Sequence, residues 1–201
     1  MTRADPGSTP AGRLLFVCTG NICRSAAAER LARRELAELL GDAADRVQVH
    51  SAGTRAVVGA PVHPHSAAVV RRLGGQVDGY AARRLTRPMV AEADLVLTMT
   101  REHRRLVLGV DPRALARTFT LAEAAELVGL LEDPPAPDQP LARRLAAART
   151  RRRSDEADDV PDPINGSPEV HEDVVSAIER YLHPVLRAWA ADVGARLPSA
   201  G

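Results

Sequence analysis

Apolar positions recur along this chain in two rhythms. Leu14-Leu15-Phe16-Val17 is an unbroken apolar run, the pattern of a short strand covered on both faces. From about Ser25 to Leu40 the spacing of Ala28, Leu31, Leu36, Leu39 and Leu40 predicts a helix, with Ser25 as its N-cap and Gly41 as its stop. Arg46-Val47-Gln48-Val49-His50 alternates and reads as a second strand that runs into a loop at Ser51-Ala52-Gly53-Thr54. Pro64 to Leu73 reads as a helix closed by Gly74-Gly75. Asp94 to Met99 is a third strand, Arg101 to Leu108 a short helix, Arg117 to Thr120 a fourth strand and Leu121 to Leu131 a helix. The last helix opens at Ser167-Pro168-Glu169 and runs to about Leu197, with Pro184 as its expected break.

Strands and helices therefore alternate, which predicts an α/β domain with a four-stranded parallel sheet flanked by helices. In such sheets ligands bind beyond the carboxyl ends of the strands, here at the loops starting at Cys18, Ser51 and Thr100. Residues 132–161 interrupt the pattern with a proline-rich start, a basic run ending Arg151-Arg152-Arg153 and an acidic run. They read as a partly mobile insertion, helical from Pro140 to Arg149. The expected organisation is a disordered arm at 1–12, one domain at 13–197 and a tail at 198–201.

Composition narrows the function classes. The 27 basic and 26 acidic residues leave a net charge of +1, with no overall field to gather nucleic acid or an anionic membrane. All the basic residues are arginine, since the chain has no lysine. Five aromatic residues, Phe16, Tyr80, Phe119, Tyr181 and Trp189, are too few for a base-stacking surface. No run is long and apolar enough to span a membrane. Two cysteines suit neither a disulfide scaffold nor a four-ligand zinc site, so a cytoplasmic setting is expected. The six histidines read as surface or capping residues, and neither metal nor organic cofactor is expected. The arginine-rich 143–153 segment reads as a solvated face rather than a docking site.

The chemistry concentrates in Val17-Cys18-Thr19-Gly20-Asn21-Ile22-Cys23-Arg24-Ser25. A cysteine leaves a buried strand, and an arginine stands at the mouth of a helix. Backbone amides of residues 19–24 can curl around a tetrahedral oxyanion, and Gly20 and Asn21 tolerate the positive φ this needs. The helix N-terminus adds partial positive charge, and the planar fork of Arg24 can clamp two oxygens. The same field favours the thiolate of Cys18, a nucleophile aimed at phosphorus, with Ser25 placed to hydrogen-bond the sulfur. An aryl leaving group needs a proton, and Asp162 in Val160-Pro161-Asp162-Pro163-Ile164-Asn165-Gly166 is a candidate acid. Asp111-Pro112 and Asp133-Pro134 look similar, so the residues alone leave Asp162 as readily a simple turn.

These segments resemble the low-molecular-weight protein tyrosine phosphatases. The likeness begins at the Cys18 loop and continues at Ser51-Ala52-Gly53-Thr54, Ala82-Arg83-Arg84-Leu85-Thr86, Asp94 to Met99 and Asp162-Pro163. It implies a four-stranded parallel sheet, with the 132–161 insertion preceding the general-acid loop. It implies a phosphomonoester hydrolase working through a cysteinyl-phosphate on phosphotyrosine in a protein or on a small phosphomonoester. It also implies Cys18 as nucleophile, Arg24 as clamp, Asp162 as general acid and then base, and residues 19–25 as the phosphate loop. Asn21, Ser25 and Ser51 would support that loop, and Cys23 could pair reversibly with Cys18.

The chain departs from the family pattern in three respects. Ala26 replaces a proline, Tyr80 stands where some relatives have a supporting histidine, and Ile164-Asn165 replace aromatics that would sandwich a tyrosine ring. Val57 or Val58 would form the opposite wall, and ring binding is expected to be weaker. Ile22, where phosphoarginine-specific relatives tend to carry threonine, keeps phosphotyrosine ahead. Rival readings are a protein arginine phosphatase, an arsenate reductase using a low-molecular-weight thiol, and a low-turnover phosphoprotein-binding module. A monomer is expected.

Overall fold

β1 (Gly12–Cys18) lies inside a four-stranded sheet. β2 (Val47–Gly53) pairs with one side of it, β3 (Leu95–Thr98) with the other, and β4 (Thr118–Thr120) extends the sheet past β3. The order is β2-β1-β3-β4, with every pairing parallel, as the alternating elements predict. The structure, a computed structural model, describes residues 10–131, 139–152 and 159–196. The expected arm up to residue 9, the tail, and positions 132–138 and 153–158 of the insertion lie outside these residues.

The side chains of β1 explain the rest of the packing. Successive residues of a strand point to opposite faces. Leu14, Phe16 and Cys18 join one apolar cluster with α1 (Arg24–Leu40), α2 (Pro64–Arg72), α5 (Leu121–Gly129) and α7 (Pro168–Gly194). Leu15 and Val17 join a smaller cluster on the other face, with Val90 of α3 (Arg87–Glu92) and Val107 of α4 (Arg101–Val110). Both faces are covered, which is why the strand reads as a continuous apolar run. The chain leaves β1 where its two neighbouring strands diverge in connectivity, and the Cys18 loop opens at that crevice.

Several boundaries differ from the sequence expectations, each for a physical reason. β1 begins at Gly12, inside the expected arm, and the Ala11 amide already bonds the Arg46 carbonyl at 2.7 Å. β2 continues through Ser51, Ala52 and Gly53, because these pair with Phe16, Val17 and Cys18. Gly53 is required there: a Cβ would sit 2.5 Å from the Thr19 carbonyl oxygen and 2.9 Å from the Ala56 Cα. α3 escapes notice in the sequence because it is six residues long and buries only Val90.

Pro184 does not break α7, which runs unbroken from Pro168 to Gly194. An interior proline costs a helix about 3 kcal/mol. Here Val174, Ile178, Leu182, Val185, Leu186 and Trp189 are all buried along one stripe, and that burial outweighs the loss. The described part of the insertion is also more firmly built than expected. α6 (Leu141–Ala148) buries Leu141, Leu145 and Ala148. Arg149 bonds Glu123 at 2.7 Å and lies 4.2 Å over the Phe119 ring, so this basic residue is a packing element rather than a solvated charge.

Candidate active site

Cys18 ends β1, and the chain reverses over the next five residues before α1 begins at Arg24. Asn21 makes the reversal with φ of +57°, a left-handed conformation that asparagine tolerates. Cys23, not Ser25, takes the N-cap position of α1, and makes no side-chain cap bond. The hydroxyl of Ser25 is committed elsewhere: it lies 2.9 Å from the Cys18 sulfur. The Asn21 amide donates to the same sulfur at 3.3 Å. The first amides of α1 have no partners within the helix, which leaves its positive end at the loop.

A buried polar network holds this curl. The Asn21 side-chain amide donates to Ser25 Oγ at 2.9 Å and to Ser51 Oγ at 2.8 Å. Ser51 in turn donates to Glu29 at 2.6 Å. The Tyr80 hydroxyl lies 3.1 Å from Ser51 Oγ and donates to the Asn21 carbonyl at 2.7 Å. Tyr80 thus supplies a loop-supporting bond, and burial pushes its phenol up, so it stays protonated as a donor. The Asn21 side-chain oxygen accepts from the Arg83 amide at 2.8 Å. Glu29 is buried and also meets Arg33 at 3.1 Å and Arg83 at 3.3 Å, so its charge is compensated.

Arg24 is 4% exposed and reaches across to the loop preceding α7. Its guanidinium donates to the Val160 carbonyl at 3.1 Å and to Asp162 at 2.5 Å, while its Nε–H has no partner. Asp162 remains 44% exposed at the rim. Cys18, Thr19, Gly20, Ile22, Cys23 and Arg24 line a cavity of about 290 Å³ together with Arg55, Val57, Asp162 and Ile164. Val57 and Ile164 are the aliphatic walls, both substantially exposed. Asn165 is exposed and lies outside the cavity lining. The arrangement can hold an oxyanion among amides and a guanidinium, over a sulfur, beside a carboxyl group.

Sequence reasoning missed His103 and Glu29. His103 is not a surface residue: it is buried, with Nε2 2.8 Å from Thr19 Oγ1 and Nδ1 2.8 Å from Thr100 Oγ1. His171 is fully buried as well. The only hint of Glu29 was an acidic residue on the apolar face of a helix, next to Ala28. The bond of His103 to Thr19 carried no local signal, because the two lie 84 residues apart.

Burial, with the charge of Arg24 adding, pushes His103 down to about 4 from its ordinary 6.5. Its imidazole is therefore neutral at neutral pH. Between 6.5 and about 4 the unfolded chain takes up a proton that the folded chain refuses, so stability falls as pH falls through that window. Replacing His103 by Gln is expected to make this acid loss shallower, read from urea midpoints across the window. His50, His63 and His171, also pushed down by burial, would keep part of the slope. An unchanged slope would show that His103 takes up its proton without resistance.

Burial pushes the Cys23 thiol up to about 12, with the Ser66 hydroxyl opposing and Cys18 adding. Cys23 is thus a thiol at neutral pH and no rival nucleophile. Both cysteines are free and buried. Among the described residues, no helix is long and apolar enough to cross a membrane.

Comparison with known proteins places this site in context. The family model described as low molecular weight phosphotyrosine protein phosphatase matches residues 13–140. The low-molecular-weight protein-tyrosine-phosphatase Etp of Escherichia coli K12 is 36% identical over 113 residues, covering 56% of this chain and 71% of that protein. AmsI of Erwinia amylovora, a probable low-molecular-weight protein-tyrosine-phosphatase, is 33% identical over 106 residues, covering 53% of this chain and 68% of that one. Its crystal structure superposes with a TM-score of 0.66 at 22% identity, covering 93% of this chain and 98% of that one. The YwlE arginine phosphatase of Geobacillus stearothermophilus superposes with a TM-score of 0.63 at 26% identity, covering 87% and 90%.

Proposed function

Because the chain belongs to the low-molecular-weight phosphotyrosine protein phosphatase family, we propose that it hydrolyses phosphotyrosine in proteins through a covalent intermediate on Cys18. The observation that carries the assignment of residues is Cys18 lining the cavity together with Arg24 and Asp162, its sulfur 2.9 Å from Ser25 Oγ. A phosphate monoester enters with its oxygens on the loop amides and on Arg24, whose Nε–H is an available donor. The thiolate of Cys18 attacks phosphorus, a sulfur–phosphorus bond forms, and the bond to the leaving oxygen breaks. Asp162, which takes up a proton from solvent once phosphate has displaced it from Arg24, donates that proton to this oxygen. Asp162 then takes a proton from water, the water oxygen attacks phosphorus, and the sulfur leaves as thiolate with inorganic phosphate. Ser25 and the Asn21 amide, both on the sulfur, stabilise that departing charge.

The Arg24–Asp162 pair gives this cycle an order. A phosphate oxygen competes with the Asp162 carboxylate for the same guanidinium nitrogen. Binding therefore turns the clamp to the phosphate and releases Asp162 towards the leaving group. Asp162→Asn is expected to lower kcat for phenyl phosphate by roughly 10²–10⁴, and by much less for esters of acidic phenols that leave without a proton. Equal losses for both leaving groups would assign Asp162 to holding Arg24 instead.

Substrate choice is the finer part of the reading. Val57 and Ile164 offer a slot between aliphatic walls, which supports ring binding without aromatic stacking. The same walls, and the structural likeness to an arginine phosphatase, support phosphoarginine as a second reading. Ile22, next to Cys23 at the cavity, favours phosphotyrosine as the resemblance implied. Turnover of phosphotyrosine and phosphoarginine peptides, phosphoserine and arsenate, with wild type and Cys18→Ser, decides between them. A phosphopeptide complex without turnover would favour the binding-module reading.

A further inference from the structure

A second cluster of reactive side chains lies beside the catalytic loop, and no step above uses it. The Cys23 sulfur and one imidazole nitrogen from each of His63 and His171 lie within 4.8 Å of one another. Three separate parts of the fold supply them: the last loop residue before α1, the residue preceding α2, and the first turn of α7. Residues 23, 63 and 171 have no sequence spacing that would announce a site, which is why the histidines read as surface or capping residues; His63 does stand at the N-cap of α2.

The imidazoles are poorly accounted for as packing. His171 is fully buried, with Nδ1 2.8 Å from Ser66 Oγ, while its Nε2 has no hydrogen-bond partner. The buried Nδ1 of His63 has none either. Buried polar atoms are rarely left unpaired without a reason. The Pro163 carbonyl, which takes the Gly166 amide at 2.7 Å, also approaches the His171 ring, but outside hydrogen-bond geometry. The His63 and His171 rings stack with centroids 4.4 Å apart and planes 9° apart. The exposed ring of His65 lies 5.3 Å from each, on the open side.

We propose that Cys23, His63 and His171 form a site for a divalent ion of the zinc class, with the fourth position open to water or His65. A thiolate and two imidazoles are the donor set such an ion prefers. With Nδ1–H donating to Ser66, His171 presents the Nε2 lone pair, and a hydrogen bond on the far nitrogen is how ligating histidines are oriented. Bond lengths near 2.3 Å to sulfur and 2.0–2.1 Å to nitrogen put tetrahedral ligand atoms about 3.5 Å apart, so the cluster contracts by roughly 1 Å on binding. The Cys23 S–H bond breaks, a sulfur–metal bond forms, and the proton goes to solvent; no oxidation is involved. An occupied site withholds Cys23 from any pairing with Cys18. The proposal goes beyond the phosphatase reading and does not depend on it.

Cobalt(II) is the probe, titrated into the full chain carrying Cys18→Ser so that the other thiol is silent. One equivalent is expected to give tetrahedral d–d absorption with a thiolate-to-cobalt charge-transfer band, displaced by zinc. Adding His63→Asn, at a half-buried position, is expected to weaken binding by at least roughly 100-fold, the upper end of what losing a mere supporting contact to a ligand costs. Cys23→Ser should abolish the charge-transfer band. Circular dichroism confirms that each variant is folded. A folded Cys18→Ser protein with no charge-transfer band, a six-coordinate spectrum, or a spectrum untouched by His63→Asn overturns the proposal.

Discussion

Cys18→Ser is expected to lower aryl phosphate turnover by roughly 10⁴–10⁶, the scale on which loss of a nucleophile is felt in a covalent mechanism. A serine hydroxyl in the same place holds its proton and attacks far more slowly than a thiolate. The change is nearly isosteric, so the network of Asn21, Ser25, Ser51 and Glu29 around it should survive. The variant should therefore still bind inorganic phosphate as a competitive ligand, measured by calorimetry. Lost turnover with retained binding isolates the chemical step. Retained turnover would leave Cys23 as the only other thiol, and burial holds it protonated.

Arg24→Ala is expected to lower kcat by roughly 10³–10⁵, the range seen where an arginine stabilises charge in phosphoryl transfer. Two effects add. The guanidinium no longer meets the equatorial oxygens as the bonds to phosphorus loosen. The ligand-free enzyme also loses the partner that holds Asp162 over the loop until phosphate displaces it. Arg24→Lys separates them, because a lysine keeps the charge but not the planar fork. If Arg24→Lys recovers most of the activity, charge alone is needed. If it stays within about tenfold of Arg24→Ala, the fork is the essential feature, as the two-armed grip on Val160 and Asp162 suggests. Arg24 is buried, so thermal unfolding of both variants must accompany the kinetics.

Where the chemistry is local, it was legible in the chain. Cys18, Gly20, Asn21, Arg24 and Ser25 sit within eight residues, and the curl depends on conformations those residue types favour. The strands at 14–17, 47–50, 95–98 and 118–120 were legible too, because burial on both faces leaves a continuous apolar run and burial on one face an alternating one. Helix ends were less so. Ser25 has the chemistry of an N-cap, but a bond to the Cys18 sulfur, made by the same loop, claims its hydroxyl.

Asp162 marks the limit of local reading. As an Asp-Pro pair it resembles Asp111-Pro112, whose carboxylate serves Arg113 two residues on. The packing of α7 against α1, together with the Val160 amide on the Met99 carbonyl at 2.8 Å, carries Asp162 over the loop to Arg24, 138 positions earlier. Tyr80, Glu29 and His103 follow the same rule, for each meets a partner brought by another part of the fold.

The chain by itself thus determined the strand–loop–helix unit that cups an anion, because backbone conformation and helix polarity act over a few residues. Tertiary structure decided which acid faces that cup, which polar groups brace it from behind, and that Cys23 meets two imidazoles. Those contacts exist only once distant segments are pressed together by a shared apolar core, and no short-range pattern records them.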